Sequence, residues 1–154
     1  IGCRGFLTSL QDGMDRPRYL VSACLCGIAC RYDGRSKPVS RFVEMLRKGI
    51  CIPFCPERLG GLSTPREPAL ISRGTGFDVL DGKARVIPRD ISGDVTAEFL
   101  RGAYAALTYA RLFLPETVYL KEKSPSCGLY AGNGMPGVTA ALLMRQGYVL
   151  EPVD

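Results

Sequence analysis

Short apolar runs that resemble buried strands alternate along this chain with segments of helical periodicity. The first run, YLVSACL at residues 19–25, is nearly uninterrupted, which is typical of a strand covered on both faces of a parallel sheet. Strands that alternate with helices predict a single three-layer α/β/α domain with a mostly parallel sheet, Rossmann-like or flavodoxin-like. The predicted elements are strands at 19–25, 50–55, 117–123 and 148–153, helices at 37–49, 94–114 and 137–147, and a hairpin at 77–87.

Turn-forming and capping residues mark the ends of several of these elements. Gly49 is a plausible C-cap of the first helix, and Asp94 and Pro115 open and stop the long one. Pro53 weakens the second strand and predicts a bulge or an early finish. Asp81-Gly82 suits the turn of the hairpin.

The length of 154 residues suits one domain with a sizeable core. We interpret residues 16–154 as that domain and residues 1–15 as a peripheral leader or a remnant of cloning. The leader lacks the pattern of a secretory signal, and no apolar run approaches the ~20 residues of a membrane span. The sequence therefore predicts no membrane partner.

The net charge of +5 comes from Lys and Arg residues that are scattered rather than clustered. This distribution favours a small anionic or polar ligand and predicts no nucleic-acid partner. A merely basic protein surface explains the same charge equally well.

Two absences restrict the chemistry. The chain contains no His, which excludes a catalytic triad, an imidazole base and a histidine zinc ligand, and it contains no Trp. General acid/base catalysis must therefore come from Asp, Glu, Lys, Tyr or Cys.

Seven cysteines without a secretion signal argue against a disulfide scaffold, because cytosolic thiols stay reduced and clustered ones more often serve a metal or catalysis. Zinc ribbons pair their ligands as C-x-x-C, and this spacing does not occur here. Instead, C-x-C occurs at 24 and 26, and C-x-x-x-C at 26 and 30 and at 51 and 55.

Three of the cysteines follow three different predicted strands. Cys24 and Cys55 lie at the carboxyl ends of the first and second strands, and Cys127 lies just past the third. Ligands of open parallel sheets bind beyond those ends, so we expect the three thiols to converge. Packing is the alternative, since Cys is often buried. The flanking turn sequences, Pro-Glu after Cys55 and SPSCG around Cys127, favour a metal site.

The other cysteines are less informative. Cys51 is early in its strand and is predicted to be core. Cys26 and Cys30 flank Gly27, and each is a candidate fourth ligand, a resolving thiol or a bystander. Three ligands with an open position would be the pattern of a catalytic metal site rather than a structural one.

Six motifs between about Leu20 and Glu151 occur in a fixed order: SACLCGIACRYDG, CPERLGGLSTPREPA, DVLDGKARV, DVTAEFLRGA, LKEKSPSCG and GVTAALL. In these motifs the chain resembles the TudS-like thiouracil desulfurase family, also known as domain of unknown function 523. The resemblance implies a cytoplasmic protein with a [4Fe–4S] cluster held by Cys24, Cys55 and Cys127. The fourth iron would be free to take sulfur from the substrate, and iron–sulfur assembly machinery would load the cluster.

The implied reaction is hydrolytic: thiouracil and water give uracil and hydrogen sulfide, with no external reductant. An iron without a protein ligand is a soft Lewis acid, and a thiocarbonyl sulfur is a soft donor. Glu57 is the candidate to handle the proton of water, and the resemblance implies the same glutamate. Ser124 or Ser126, beside Cys127, is the candidate to bind the substrate or a sulfur. The alternatives are a surface glutamate paired with a nearby arginine, Arg58 or Arg66, and a turn capped by hydroxyls.

A non-catalytic protein is the competing class. Its thiols would hold structural zinc or form a redox-sensing pair such as Cys24 and Cys30. The cluster hypothesis makes a geometric prediction: the sulfurs of Cys24, Cys55 and Cys127 should be about 6–7 Å apart when a [4Fe–4S] cube is bound. The sequence makes no prediction about the oligomeric state.

Overall fold

A computed structural model describes residues 16–154, so the predicted leader at residues 1–15 lies outside the described residues. The strands are β1 (Tyr19–Ser22), β2 (Cys51–Phe54), β3 (Ala69–Ile71), β4 (Val86–Pro88), β5 (Thr117–Lys121) and β6 (Leu150–Val153). The helices are α1 (Ser40–Arg47), α2 (Pro56–Leu59), α3 (Gly76–Leu80), α4 (Thr96–Phe113) and α5 (Val138–Arg145), and a 3₁₀ turn covers Ala23–Cys26.

The main sheet has four strands in the order β2-β1-β5-β6, and all neighbours are parallel. The chain leaves β1 for β2 on one side and later returns to β5 on the other side of β1. The order of the strands therefore reverses at β1, and open α/β sheets bind their ligands beyond the carboxyl ends at such a point.

The sheet is covered on both faces, which confirms the α/β fold predicted from the sequence. On one face, Leu20, Val118 and Leu120 pack with residues of α4 and α5, including Phe99 and Leu143. On the other face, side chains from the alternate strand positions, including Val21, pack with Phe42 of α1. The continuous apolar runs of β1 and β5 follow from this double coverage.

The predicted hairpin at 77–87 is wrong, because residues Gly76–Leu80 form α3. Thr75 caps this helix: its hydroxyl accepts from Phe77 N (3.3 Å), and Asp78 Oδ2 accepts from Thr75 N (2.7 Å). Gly82, with φ +75°, follows the helix instead of forming a hairpin turn. Residues 86–88 do form a strand, β4, but it pairs with β3 in a separate antiparallel ladder.

Two strand boundaries also differ from the prediction. β1 ends at Ser22, because the chain tightens into the 3₁₀ turn and Gly27, with φ +90°, reverses its direction. β2 continues through Pro53, which pairs with Val21 in the ladder. Proline is tolerated there because β2 is an edge strand, and an edge strand has one side free of ladder hydrogen bonds.

The predicted cap residues lie one position outside the observed caps, which are Lys48 at the end of α1 and Val95 at the start of α4. Gly49 has φ +70° just past the end of α1, and Asp94 Oδ1 accepts from Thr96 N (2.9 Å) at the start of α4. Within residues 16–154, no helix is both long enough and apolar enough to cross a membrane.

Candidate metal centre and active site

A cavity of about 340 Å³ opens beyond the carboxyl ends of β1, β2 and β5. The predicted ligands Cys24, Cys55 and Cys127 all line it, together with Cys30. The candidates Glu57 and Ser124 line the same cavity. The tertiary fold therefore brings together side chains that are up to 103 positions apart, from 24 to 127, as expected for loops at the same edge of a parallel sheet.

Each of the three cysteines is placed by a short, tight connection. Cys24 lies in the 3₁₀ turn directly after β1 rather than at a strand end. Cys55 lies between β2 and α2, where Pro56 occupies the first helical position. Cys127 lies in the turn after β5, where the Ser124 hydroxyl accepts from Ser126 N (3.2 Å) and Cys127 N (3.1 Å).

Cys30 lies between the predicted ligands. Its thiol is hydrogen-bonded to the thiols of both Cys24 and Cys55, and Cys55 Sγ is also 3.8 Å from Cys30 O. The hydrogen bond with Cys24, as the largest effect, and burial raise the pKa of Cys30 to about 11, although the hydrogen bond with Cys55 opposes them. Of the two undecided cysteines, Cys30 therefore belongs to the cavity.

Cys26 has a different environment from Cys30. Its thiol contacts that of Cys51, and both residues are buried in the cluster beneath α1. Burial raises the pKa of Cys26 to about 12, so this thiol stays protonated at neutral pH. Cys51 is core, as the sequence predicts, and neither thiol lines the cavity.

The thiols of Cys55 and Cys127 are not pre-ionised. Burial, as the largest effect, raises the pKa of Cys127, and the Ser22 hydroxyl partly opposes this because it is hydrogen-bonded to the sulfur. The hydrogen bond with Cys30, followed by burial, raises the pKa of Cys55. A metal that displaces the protons would convert these thiols to thiolates, since metal binding and deprotonation are coupled.

Glu57 is held at both carboxylate oxygens. Arg66 Nε donates to Oε1 (3.0 Å), and Ser126 Oγ donates to Oε2 (3.2 Å). The Arg66 and Glu57 side chains are 7% and 15% exposed. Glu57 is therefore paired with a nearby arginine, Arg66, as the alternative interpretation predicts. The pair lies in the cavity wall, however, and not on the open surface. Arg58 instead donates to Leu62 O (2.7 Å).

The two candidate serines have different environments. Ser124 caps the turn before Cys127, as the alternative interpretation predicts, and also lines the cavity. Ser126 is 1% exposed and points its hydroxyl at Glu57. Ser126 is therefore connected to the candidate acid/base group rather than exposed in the cavity.

Basic side chains outnumber acidic ones around the cavity, six against three (Glu57, Glu122 and Asp154). Both oxygens of Glu122 accept backbone N–H groups of residues 129–131, and Asp154 pairs with Lys123 (3.0 Å) and Lys121 (3.5 Å). This excess of positive charge suits an anionic or polar ligand. The basic residues lining the cavity are Arg31, Lys37, Arg66, Arg89, Lys121 and Lys123.

The thiols are not arranged as a site for one metal ion. Among the residues that the structure describes, no three Cys, Asp or Glu side chains form a group that could hold a single ion. A cubic cluster needs a wider spacing, about 6–7 Å between cysteine sulfurs, so its ligands do not have to converge on one point. The donor set, soft thiols around a cavity, fits an iron–sulfur cluster.

Comparison with known proteins identifies the family. Residues 19–152 match the sequence model of the family described as 2-thiouracil desulfurase. This chain belongs to the 2-thiouracil desulfurase family. The match confirms the resemblance found in the six motifs, and it spans almost all of residues 16–154.

Two relatives support the assignment to the desulfurase family. "Uncharacterized protein YbbK" of Bacillus subtilis (strain 168) is 44% identical over 138 residues, which cover 84% of this chain and 91% of that protein. A solved structure described as "[4Fe-4S]-dependent thiouracil desulfidase TudS (DUF523Vcz)" is 37% identical with a TM-score of 0.73. The alignment covers 90% of this chain and 92% of that one, so the desulfurase-family fold is shared across the whole domain.

Sequence reasoning missed two features of this family member's site. Arg66 appears there only as an alternative partner of Glu57, although it also donates to Cys30 O (2.9 Å) and Ser63 O (3.0 Å). The buried carboxylate of Glu122 was not considered, although it organises the loop after Cys127. The available sequence pattern was the position of Glu122 between Lys121 and Lys123, after the apolar run of β5 and before the SPSCG turn.

Proposed function

We propose that this protein is a [4Fe–4S]-dependent desulfurase that acts on thiouracil-type thionucleobases and releases hydrogen sulfide. The observation that carries this proposal is the single cavity that gathers Cys24, Cys55 and Cys127 with the Glu57 carboxylate. The family match and the description of the related TudS structure support the same substrate class and cofactor.

Cys24, Cys55 and Cys127 would hold the cluster, because their thiols line one cavity and thiolates are the usual ligands of iron–sulfur clusters. When bound, the cluster supplies a Lewis-acidic iron with a position for a soft sulfur donor. Cys30 adds a fourth sulfur beside this donor set. The absence of histidine in the sequence is consistent with a site made of sulfur ligands.

The chain itself supplies the proton transfer. Glu57 accepts a proton from the attacking water and returns it to the departing sulfur, which is general acid/base catalysis by a carboxylate. Arg66 fixes the direction of the Glu57 carboxylate through Oε1, and Ser126 restrains Oε2. Ser124 lines the cavity, where its hydroxyl would hydrogen-bond the thionucleobase substrate.

The reaction balances without an oxidant or reductant. Water adds its oxygen to the thiocarbonyl carbon, the C–S bond breaks, and the sulfur leaves as hydrogen sulfide with both protons of that water. The overall change is C=S to C=O, so a thiouracil gives uracil. We further propose that the protein works in the cytoplasm and receives its cluster from iron–sulfur assembly machinery, since reduced thiols and cluster loading both need that compartment.

The test is anaerobic reconstitution with iron and sulfide, followed by incubation with 2-thiouracil in ¹⁸O-labelled water and no reductant. We expect a brown protein with broad absorption near ~400 nm, and one ¹⁸O in uracil for each sulfide released. A cluster-loaded protein that releases no sulfide from any thionucleobase would overturn the proposal.

A second candidate function follows from the contact between the thiols of Cys24 and Cys30. Such a pair can form a reversible disulfide when an oxidant such as hydrogen peroxide takes two electrons and two protons from it, giving water. A non-catalytic redox sensor would bind no iron after reconstitution and would show this disulfide after peroxide treatment, as measured by peptide mass spectrometry.

A further inference from the structure

Ser22 is the last residue of β1 and lines the cavity, yet it is only 3% exposed. The ladder between β1 and β5 pairs Tyr19 to Val21 with Thr117 to Tyr119 and does not extend to Ser22. Beyond the ladder, the side chain of Ser22 rather than its backbone bonds to β5: Ser22 Oγ accepts from Lys121 N (3.0 Å).

This hydrogen bond determines where the hydroxyl hydrogen of Ser22 goes. A serine hydroxyl has two acceptor lone pairs and one donor. Since Lys121 N uses an acceptor position, the hydrogen remains available on the side of the cavity that Ser22 and Cys127 both line, and hydrogen bonding from this hydroxyl lowers the pKa of the Cys127 thiol against the effect of burial. One oxygen therefore joins the end of β5 to the cysteine in the turn that follows it.

We propose that Ser22 is a positioning residue that donates a hydrogen bond to the Cys127 thiolate in the cluster-loaded protein, and thereby strengthens cluster retention and raises its reduction potential. The inference rests on the [4Fe–4S] site proposed above, and it concerns a residue of this chain rather than the reaction.

The physical need for this donor comes from burial. Cys127 is 5% exposed, so water does little to solvate a negative sulfur there. A buried charged group is costly unless it is hydrogen-bonded, and hydrogen bonds to a charged acceptor are stronger than neutral ones. Hydrogen bonds to cluster sulfurs tune the reduction potential, and groups that orient metal ligands affect metal affinity. Loss of such a hydrogen bond disfavours the reduced state of the cluster, which is the more negative state, and therefore lowers the reduction potential.

The test compares Ser22→Ala with a matched control, Thr96→Val. Thr96 is 4% exposed, and its hydroxyl accepts from a backbone N–H in the same way, from Val86 N (2.8 Å), but it does not line the cavity. Both variants lose a buried acceptor of a backbone N–H. Only Ser22→Ala also loses a donor to a proposed ligand. The measurements are iron release to a ferrous chelator under anaerobic conditions and the midpoint potential of the reconstituted protein.

We expect Ser22→Ala to release iron about 10-fold faster than wild type, the low end of the effect of an outer-shell partner, and to have a lower midpoint potential. Thr96→Val should keep the wild-type potential and release rate. Equal release rates and potentials in the two variants would overturn the inference.

If Ser22→Ala does not fold, the pair Ser22→Thr and Ser22→Val replaces it, because the two side chains have nearly the same shape and differ in the hydroxyl. A lower potential in the valine variant than in the threonine variant supports the inference, and equal potentials overturn it. A wild-type protein that loads a cluster but desulfurises nothing refutes the proposed function alone. A wild-type protein that takes up no iron refutes the cofactor and this inference together.

Discussion

Arg66 and Glu57 form a largely buried ion pair in the cavity wall, with 3.0 Å between Arg66 Nε and Glu57 Oε1. Arg66 also donates to Cys30 O (2.9 Å), so one guanidinium connects the candidate acid/base group to the loop that carries a cavity thiol. Ser126 holds the second oxygen of Glu57. The carboxylate is thereby fixed in place without using either oxygen to bind the proposed cluster.

Glu57→Gln should leave the cluster intact and slow turnover. The amide keeps the size of the side chain but cannot move a proton, and the chain has no histidine to replace it. We expect the desulfurisation rate to fall by roughly 10²–10⁴-fold, as is typical for a lost acid/base group, while the absorption spectrum and iron content stay unchanged. Glu44→Gln is the control, since Glu44 is an exposed residue of α1. Near-normal sulfide release from Glu57→Gln would contradict the role.

Cys55→Ser and Cys51→Ser should behave differently, although the two cysteines are four positions apart. Cys55 lines the cavity and Cys51 does not. We expect Cys55→Ser to lose most of the iron after reconstitution, because a serine hydroxyl is a poor substitute for a thiolate. Cys51→Ser should keep the iron and lose only stability, because its hydroxyl replaces a buried thiol. Iron counts and unfolding in urea measure both effects, and equal iron loss in the two variants would refute the ligand assignment.

Arg66→Ala should destabilise the folded protein. The change removes the partner of a carboxylate that is 15% exposed, and breaking such a pair costs about 3 kcal/mol in the free energy of unfolding. Lys48→Ala is the control: the Lys48–Glu44 pair of α1 is exposed, and its loss should cost about 0.3–0.5 kcal/mol. Urea unfolding of the cluster-free protein checks both values. An Arg66→Ala cost no larger than that of Lys48→Ala would show that the pair does not stabilise the fold.

The pH dependence of stability should include a contribution from Asp94. Hydrogen bonds from Arg85 and from Thr96 lower the pKa of Asp94 to about 2 in the folded protein. Because the folded state binds the proton more weakly than the unfolded state, the stabilisation is complete above the unfolded pKa of about 4 and is lost as pH falls through about 2. Thermal unfolding of wild type and Asp94→Asn from pH 6 to pH 2 should show a difference in Tm that shrinks within this window. A difference that stays constant would contradict the linkage.

The sequence determined the overall architecture and the convergence of the three ligand candidates. Apolar runs near Tyr19–Ser22 and Thr117–Lys121, separated by helices, require coverage on both faces, and this restricts them to parallel strands. The carboxyl ends of parallel strands lie at the same edge. The convergence does not depend on the exact strand boundaries. Although β1 ends at Ser22 and not at residue 25, one cavity is still lined by Cys24, Cys55 and Cys127.

Local interactions account for the error at 77–87. The Asp81-Gly82 pair suits a hairpin turn, but Thr75 and Asp78 form a capping box, and the threonine and the acidic residue three positions later were visible in the sequence. The two hydrogen bonds of the cap stabilise one turn of helix. The strand at 86–88 then pairs with Ala69–Ile71, a contact between distant segments that no local pattern specifies.

Only the tertiary structure decided which of the neighbouring alternatives belongs to the site. Cys26 and Cys30 are equivalent in the sequence, but Gly27 reverses the chain, so that Cys30 returns to the cavity and Cys26 packs against Cys51. In the same way Glu57 pairs with Arg66, whereas Arg58 donates to Leu62 O. Sequence patterns give the type of residue and its element. The path of the loops through space determines which side chains come within hydrogen-bonding distance, and that path depends on packing across the whole domain.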